Sequence, residues 1–190
     1  MRILALDPGT LQTGWCILHG SAVERSGVHA NERVLAFLQT PELADSLAIE
    51  MVASYGMAVG REVFETVRWI GRFQQAWRDP EAVHLVYRQE VKLHLCKTVR
   101  AKDPNVRQAL IDLYPATGGG ACPQIGTKKQ PGPLYGVSSH AWPALGVAVV
   151  VQSRARVGTW TSPIEQAAVE PTISAAEARR IADHFAGVPF

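Results

Sequence analysis

The sequence contains few cysteines and no long apolar run. The three cysteines, Cys16, Cys96 and Cys122, have no CxxC spacing, which argues against both a disulfide framework and a zinc site. No stretch approaches the roughly 20 apolar residues that a membrane-spanning helix requires. Asp7 also interrupts the apolar N-terminal stretch at a point where a signal peptide would continue it. We therefore expect a cytoplasmic protein without a membrane partner.

Neither sign of charge is in large excess. Lysine and arginine number 19 against 17 aspartates and glutamates, and the net charge of +2 is too small to indicate nucleic-acid binding by itself. Of the 190 residues, 47% are hydrophobic and 19% are charged, which is typical of a globular chain with a substantial core. The length predicts one compact domain.

The hydrophobic pattern predicts an α/β fold. Short apolar runs bounded by turn residues predict five strands, over residues 2–6, 13–18, 22–28, 47–52 and 82–87. Apolar residues at helical spacing predict five helices, over residues 31–38, 59–77, 89–96, 104–113 and 139–151. Residues 114–137 are rich in glycine, proline and lysine and predict a long loop, which inside a compact domain is usually functional or disordered.

The end of the chain differs in composition from the rest. It is polar until Ser174 and Glu177, whose spacing is that of a capping box and predicts a terminal helix that continues to residue 186. We expect residues 1–155 to form the α/β domain. Residues 156–190 are then a C-terminal extension that ends in this helix.

Two of the predicted helices carry further signals. The helix over 59–77 has a stripe of apolar residues, which predicts either burial in the core or a dimer interface; the stripe comprises Val59, Val63, Val67, Ile70, Phe73 and Trp77. Asp103 stands directly before Pro104, a pattern typical of an N-cap followed by proline at the first helical position.

Two acids stand at the ends of predicted strands. Asp7 closes the first strand before the turn sequence Pro8-Gly9-Thr10, so it is either a turn-forming residue or a functional acid. Glu50 interrupts an apolar run and is either a buried functional group or a water-facing residue of an edge strand. If their strands are parallel neighbours, both carboxylates project from the same edge of the sheet, where open α/β sheets place their sites.

Such a pair of carboxylates predicts metal-dependent chemistry. Two facing carboxylates repel each other unless a cation or a shared proton offsets the repulsion. Mg²⁺ takes oxygen ligands and binds through one or two carboxylates plus substrate phosphate oxygens. Two such ions about 4 Å apart would orient an attacking water and stabilise the leaving oxygen of a phosphodiester.

Four segments in order resemble the RuvC-like Holliday junction resolvases. The family's opening motif resembles Asp7-Pro8-Gly9-Thr10, its second acid resembles Ile49-Glu50, and its segment after the fifth strand resembles Val91-Lys92 with Arg100-Ala101-Lys102-Asp103. Its last catalytic helix resembles the stretch that begins at Ser138-Ser139-His140. The likeness covers residues 1–150. It is strongest to bacteriophage-encoded members, through residues 50–57 and 126–137.

The resemblance implies a fold and an activity. The fold is ribonuclease H-like, with a mixed five-stranded sheet flanked by helices. The activity is that of a divalent-metal-dependent endonuclease that cuts four-way junctions in DNA recombination and repair. Two ions, Mg²⁺ or Mn²⁺, are implied, and symmetric cutting implies a homodimer. A bacteriophage protein of this kind would act in the cytoplasm of its bacterial host.

The same resemblance implies a set of catalytic residues that are also metal ligands: Asp7, Glu50 and His140. The family pattern has an aspartate at the position of His140, which on its own reads as an ordinary surface or core histidine, and a neutral imidazole is a legitimate metal ligand. The pattern has a second acid at the position of Pro143, which binds no metal. A fourth ligand would then be water, a backbone group or another acid.

Cationic residues near these segments predict contacts with DNA phosphates, although solvated surface charge explains each of them as well. The first group is Arg88, Lys92, Lys97, Arg100 and Lys102, and the glycine-rich loop adds Lys128 and Lys129. Lys92 lies in a matched segment and is the strongest candidate. Tyr55 follows Glu50 and would either stack on an unpaired base or pack in the core.

Three other functions are compatible with the sequence. One is a nuclease that acts on other branched DNA or on structured RNA. Another is a junction-binding protein that has lost catalysis, which His140 and Pro143 would explain. An actin-like ATPase also opens with an Asp-Gly phosphate turn, but it needs further glycine-rich motifs, and the later run Gly118-Gly119-Gly120 has the wrong context.

Overall fold

A computed structural model describes residues 1–40, 43–54, 56 and 58–157. One compact unit spans Met1–Arg156. The predicted extension from residue 156, with its terminal helix, lies almost wholly outside the described residues and stays a prediction. Among the described residues, no helix is long and apolar enough to cross a membrane.

Five strands form one mixed sheet in the order β3-β2-β1-β4-β5. They are β1 Arg2–Pro8, β2 Gln12–His19, β3 Ala22–Ala30, β4 Ser46–Met51 and β5 His84–Tyr87. Strands β1, β2 and β3 pair antiparallel, as expected for strands joined by short turns, whereas β1, β4 and β5 pair in parallel. The predicted mixed five-stranded sheet is confirmed.

Within the described residues, five α-helices connect or flank these strands. Each lies within a few residues of its predicted position, except for the far end of the last one. They are α1 Asn31–Leu38, α2 Arg61–Ala76, α3 Arg88–Cys96, α4 Asp103–Asp112 and α5 Ala141–Val157. A short 3-10 turn at Pro80–Ala82 occupies the start of the fifth predicted strand. Between α4 and α5 the chain is a loop, as predicted, and its backbone forms one isolated bridge between Gly126 and Pro131.

Both faces of the sheet are buried, which explains why its central strands read as continuous apolar runs. Ile3 and Ala5 belong to the core beneath α3, α4 and α5, whereas Leu4 and Leu6 belong to the core beneath α1 and α2. Each fully buried leucine or isoleucine contributes roughly 1.5–3 kcal/mol relative to an exposed one. Because side chains alternate along a strand, Asp7 projects to the same face as Ile3 and Ala5.

The apolar stripe predicted for α2 is buried only in part. Val59 precedes the helix and is exposed, and Val67 is exposed as well. The residues that the helix buries against the sheet are Thr66, Trp69, Ile70 and Phe73. They share one face because residues three and four positions apart are neighbours on a helix. The N-cap predicted at Asp103 is also displaced: Lys102 is the cap, and Asp103 is the first helical residue.

Candidate active site

Strand register brings Asp7 and Glu50 to one edge of the sheet. Leu6 of β1 pairs with Ile49 of the parallel strand β4, so the next residues along both strands, Asp7 and Glu50, are neighbours. Glu50 is two residues beyond Ala48, which lies in the core beneath α5, and it therefore projects to the same face as Asp7. The expectation that the two acids meet at the carboxyl ends of adjacent parallel strands is confirmed.

A buried polar network fixes the turn that follows Asp7. The Thr13 hydroxyl donates to Asn31 Oδ1 at 2.7 Å, and the Asn31 amide donates to the Gly9 carbonyl at 3.0 Å. Thr13 and Asn31 are both fully buried, so these hydrogen bonds satisfy groups that would otherwise be costly to bury. The network ties the turn to the start of α1 and thereby orients the end of β1. Asn31 is not predicted as a site residue, because its only local signal is that of a polar residue at the first position of a helix.

His140 reaches this edge because Gly14 leaves room for it. Gly14 pairs with Asp7 in the sheet, and a Cβ on Gly14 would clash with the backbone oxygen of His140. The His140 Nδ1 atom lies 3.3 Å from Asp7 Oδ2, and the imidazole is 66% exposed. Asp7 therefore interacts with both Glu50 and His140, and the three predicted site residues are brought together at one edge.

Burial makes both acids reluctant to ionise. It raises the pKa of Asp7 to about 6 and, together with the charge of the neighbouring Asp7, the pKa of Glu50 to about 7. The positive charge of Arg88 opposes both shifts without cancelling them. Each carboxyl is therefore harder to ionise than a solvated one, and a cation bound beside the pair would relieve the repulsion between them.

Arg88 and Asp103 extend the charged cluster. The Arg88 Nη1 atom lies 3.6 Å from Glu50 Oε1, and Arg88 Nη2 donates to Asp103 Oδ1 at 2.6 Å. From the sequence, Arg88 is predicted to contact DNA phosphates and Asp103 to cap a helix. The register of the strands places Arg88 beside Glu50, because Val86 pairs with Glu50 and Arg88 follows only two residues later.

The donor set fits a divalent cation in part. Across the described residues, no group of three or more His, Cys, Asp or Glu side chains is arranged to hold a metal ion. Glu50 Oε2 is nevertheless buried without a hydrogen-bond partner, and such an oxygen needs a proton or a cation. Carboxylate oxygens of Asp7 and Glu50 are ligands that Mg²⁺ and Mn²⁺ accept, and His140 could add a nitrogen. Pro143 lies in the first turn of α5 and offers no donor.

The predicted DNA contacts fall in two segments. Lys92 lies in α3, close enough to Asp103 to lower the pKa of that carboxyl after the larger effect of Arg88, and Lys102 directly precedes Asp103. Arg100 is exposed between α3 and α4. The loop before α5 presents Lys128 and Lys129 as the two central residues of a turn, closed by backbone hydrogen bonds in both directions between Thr127 and Gln130. Tyr55 lies outside the described residues.

Solved structures share this architecture, although no protein-family model and no curated protein matches the chain. RuvC of Thermus thermophilus superimposes with a TM-score of 0.59 at 18% identity, over 84% of this chain and 98% of that one. The same organism's RuvC in complex with Holliday junction substrate superimposes with a TM-score of 0.60 at 20% identity, over 84% and 97% of the two chains. The chain therefore has the RuvC-like form of the ribonuclease H-like fold, as its motifs led us to expect.

Proposed function

We propose that this chain is a divalent-metal-dependent endonuclease that hydrolyses phosphodiester bonds in branched DNA, with the four-way junction as its substrate. One observation carries the proposal: the carboxyls of Asp7 and Glu50 meet at the ends of two neighbouring parallel strands, and Glu50 Oε2 is buried there without a hydrogen-bond partner. The RuvC-like fold supports a nuclease, and the similar T. thermophilus RuvC is in complex with Holliday junction substrate.

Asp7, Glu50 and His140 would hold the metal in this proposal. Bound there, one or two Mg²⁺ or Mn²⁺ ions supply an activated water and stabilise the charge that develops on the phosphodiester. The chain's own contribution is positional. Asp7 and Glu50 are fixed by neighbouring strands and Asp7 also by the Asn31 network, so their oxygens converge without a change in the sheet. His140 stands on the solvent side, where a substrate phosphate would approach.

Cations beyond the acids would position the DNA backbone. Lys92, Arg100 and Lys102 belong to the segment that also carries Asp103, and Lys128 with Lys129 lies in the loop that leads to His140. Such contacts supply affinity and orientation but no base sequence. Tyr55 remains a proposed stacking residue, and its effect is measurable through binding alone.

A homodimer would place two such sites on one junction. On α2, Phe64 and Val67 are exposed apolar residues, and Arg68 lies beside them. Such a patch supports a self-complementary interface between two copies of the chain. The motif resemblance supports a bacteriophage origin and a role in recombination or repair in the cytoplasm of a bacterial host.

The decisive experiment offers the purified protein labelled four-way junction, fork, duplex, single-stranded DNA and structured RNA. Each substrate is tested with Mg²⁺, with Mn²⁺ and with chelator. We expect paired cuts in the junction that require the metal. Cleavage of forks or RNA in preference to the junction would redirect the proposal to those substrates, and metal-independent cleavage would contradict it.

A second candidate is a junction-binding protein with impaired catalysis. The contact between Arg88 and Glu50 favours it, because a guanidinium already faces an oxygen that the metal would need. Proline at position 143 further reduces the number of acids. Tight junction binding without cleavage in either metal would support this candidate over the nuclease.

A further inference from the structure

The Arg88 side chain lies between two acids of very different exposure. The Asp103 side chain is 76% exposed, whereas that of Glu50 is 11% exposed, and the Arg88 side chain itself is 24% exposed. Arg88 begins α3 and Asp103 begins α4, two helices that pack against each other. The guanidinium is therefore anchored at a solvent-facing acid and directs its other nitrogen towards the buried one.

Arg88 thus bridges Asp103 and Glu50, and its two contacts differ in length and hydrogen bonding. At 2.6 Å, the contact with Asp103 is a short charge-assisted hydrogen bond. At 3.6 Å, the contact with Glu50 is too long for a hydrogen bond, and both Arg88 Nη1 and Glu50 Oε2 are buried without a hydrogen-bond partner. The Glu50 end consequently retains charge attraction but lacks the hydrogen bonds that make a buried pair strong. Such a contact can be exchanged for a better one.

We propose that Arg88, anchored by Asp103, is a positioning residue that serves as the tethered counter-ion of Glu50 and weakens the binding of a divalent cation to the Asp7–Glu50 pair. The inference rests on the proposed metal-dependent function and deepens it. A cation that binds Glu50 must displace the guanidinium, which stays paired with Asp103. The bridge holds the acid pair together until a metal, or a metal with substrate phosphate, replaces it.

The test measures Mn²⁺ affinity on the full chain without DNA, by isothermal titration calorimetry at about pH 8, above the pKa values of about 6 and about 7 of the two acids. Arg88→Gln removes the competing charge, and we expect it to bind Mn²⁺ about tenfold more tightly, since a unit charge acts on a divalent ion over a few ångströms. Arg88→Lys keeps the charge and should stay near the parent. Arg2→Gln is the matched control, since it removes an arginine from an ion pair with Glu24, and its affinity for Mn²⁺ should equal that of the parent.

A second variant separates this role from simple structural support. Asp103→Asn frees Arg88 from its anchor, so the guanidinium pairs with Glu50 alone and Mn²⁺ should bind several-fold more weakly. The counter-ion role therefore predicts opposite changes in Arg88→Gln and Asp103→Asn, whereas damage to the site weakens binding in both. Melting curves in chelator and in Mn²⁺ give a parallel readout: Arg88→Gln should gain more from the ion than the parent does.

The outcomes distinguish this inference from the function on which it rests. If the parent binds Mn²⁺ and Arg88→Gln binds it equally or more weakly, the counter-ion role is overturned and the nuclease proposal stands. If Arg88→Gln does not fold, an unchanged or tighter affinity in Asp103→Asn overturns the role instead. A parent that binds no Mn²⁺ overturns the metal-dependent function together with this inference.

Discussion

Strand β1 carries charged clusters at both of its ends, and the two clusters behave in opposite ways. The carboxyl end of β1, here called the acid end, groups Asp7 with Glu50, Arg88, Asp103 and His140. At the opposite end, Arg2 meets Glu24 and Asp45, and His19 lies 3.0 Å from Glu24. The composition is similar: acids, an arginine and a histidine on the same sheet. The pKa values of the principal acids at the two ends are nevertheless shifted in opposite directions.

At the opposite end, a hydrogen bond from the Arg2 side chain lowers the pKa of Glu24, and a hydrogen bond from the Arg2 backbone lowers that of Asp45. These carboxylates are solvated and ionise readily. At the acid end, burial raises the pKa values of Asp7 and Glu50 in spite of Arg88. Burial rather than the presence of a cationic neighbour therefore distinguishes the candidate site from an ordinary surface ion pair. The opposite end supplies a matched control for each kind of side chain at the acid end: a carboxylate, an arginine and a histidine.

The largest difference between the two ends should appear in catalysis. Asp7→Asn and Glu50→Gln remove charge at nearly constant shape, and each should reduce junction cleavage by on the order of a thousandfold or more, because the proposed metal would supply both the nucleophile and the stabilisation of the leaving group. Glu24→Gln is the control and should cleave like the parent. Rates of single-turnover cleavage and junction affinity are measured together. Full cleavage by either acid-end variant would sink the catalytic assignment.

The histidines give the next contrast. His140 lies 3.3 Å from Asp7 and His19 lies 3.0 Å from Glu24, so their local partners are alike. A nitrogen ligand shifts metal preference from Mg²⁺ towards Mn²⁺, and we expect the parent to cleave faster in Mn²⁺. His140→Ala should lose at least about tenfold of the rate, since loss of a mere hydrogen-bond partner of a metal ligand already costs about 10–100-fold. His140→Asp should narrow the difference between the ions, and His19→Ala should change nothing. Equal loss in both alanine variants would make His140 a bystander.

Phosphate contacts offer a smaller effect. Lys92→Glu and Lys102→Glu, near the acid end, should weaken binding to all branched DNAs alike and reduce the slope of log affinity against log salt by about one, since each neutralised phosphate contributes about 0.9 to the slope. Arg25→Glu on β3 is the control with the same change of charge. If Arg25→Glu alters the slope as much as Lys92→Glu, these lysines act only through net charge.

The sequence indicated much of the acid end but not its arginine bridge. Asp7 and Glu50 were visible because a charged residue that closes or interrupts an apolar run is costly to bury without a partner. His140 lies 133 residues from Asp7, and only the motif resemblance connected the two. The bridge from Arg88 to Glu50 depends on the register of β5 against β4, which no local pattern contains. Asp103 before Pro104 reads most simply as a helix cap, and that local signal hid its pairing with Arg88.

The helices show the same difference between features that local sequence determines and features that long-range packing determines. Helix α1 matches its prediction from Asn31 to Leu38, because periodicity alone defines it. The buried face of α2 does not, since Val59 and Val67 are apolar but lie off the face that meets the sheet. Apolar character predicted that a helix would form, and packing determined which of its residues are buried.

The smallest effect concerns the stability of the metal-free protein. Because the pKa values of Asp7 and Glu50 rise from 3.8 and 4.5 to about 6 and about 7, the folded protein binds their protons more tightly than the unfolded chain does. Their contribution to stability is complete below about pH 4 and is lost as the pH rises through the folded-state values. Glu24 behaves in the opposite way, since its pKa is lowered: its contribution is present above its unfolded pKa and is lost as the pH falls, and exposure keeps it small.

Asp7→Asn should therefore raise the melting temperature of the metal-free protein by a few degrees at about pH 8, and this gain should vanish near pH 4. Glu24→Gln should lower the melting temperature slightly at about pH 8. Circular dichroism melts in chelator at both pH values measure the two effects. An Asp7→Asn protein less stable than the parent at about pH 8 would mean that attraction to Arg88 outweighs the cost of burial. The acid end would then be a buried version of the ion pair at the opposite end, held by its arginine, and not a pair of acids in need of a cation.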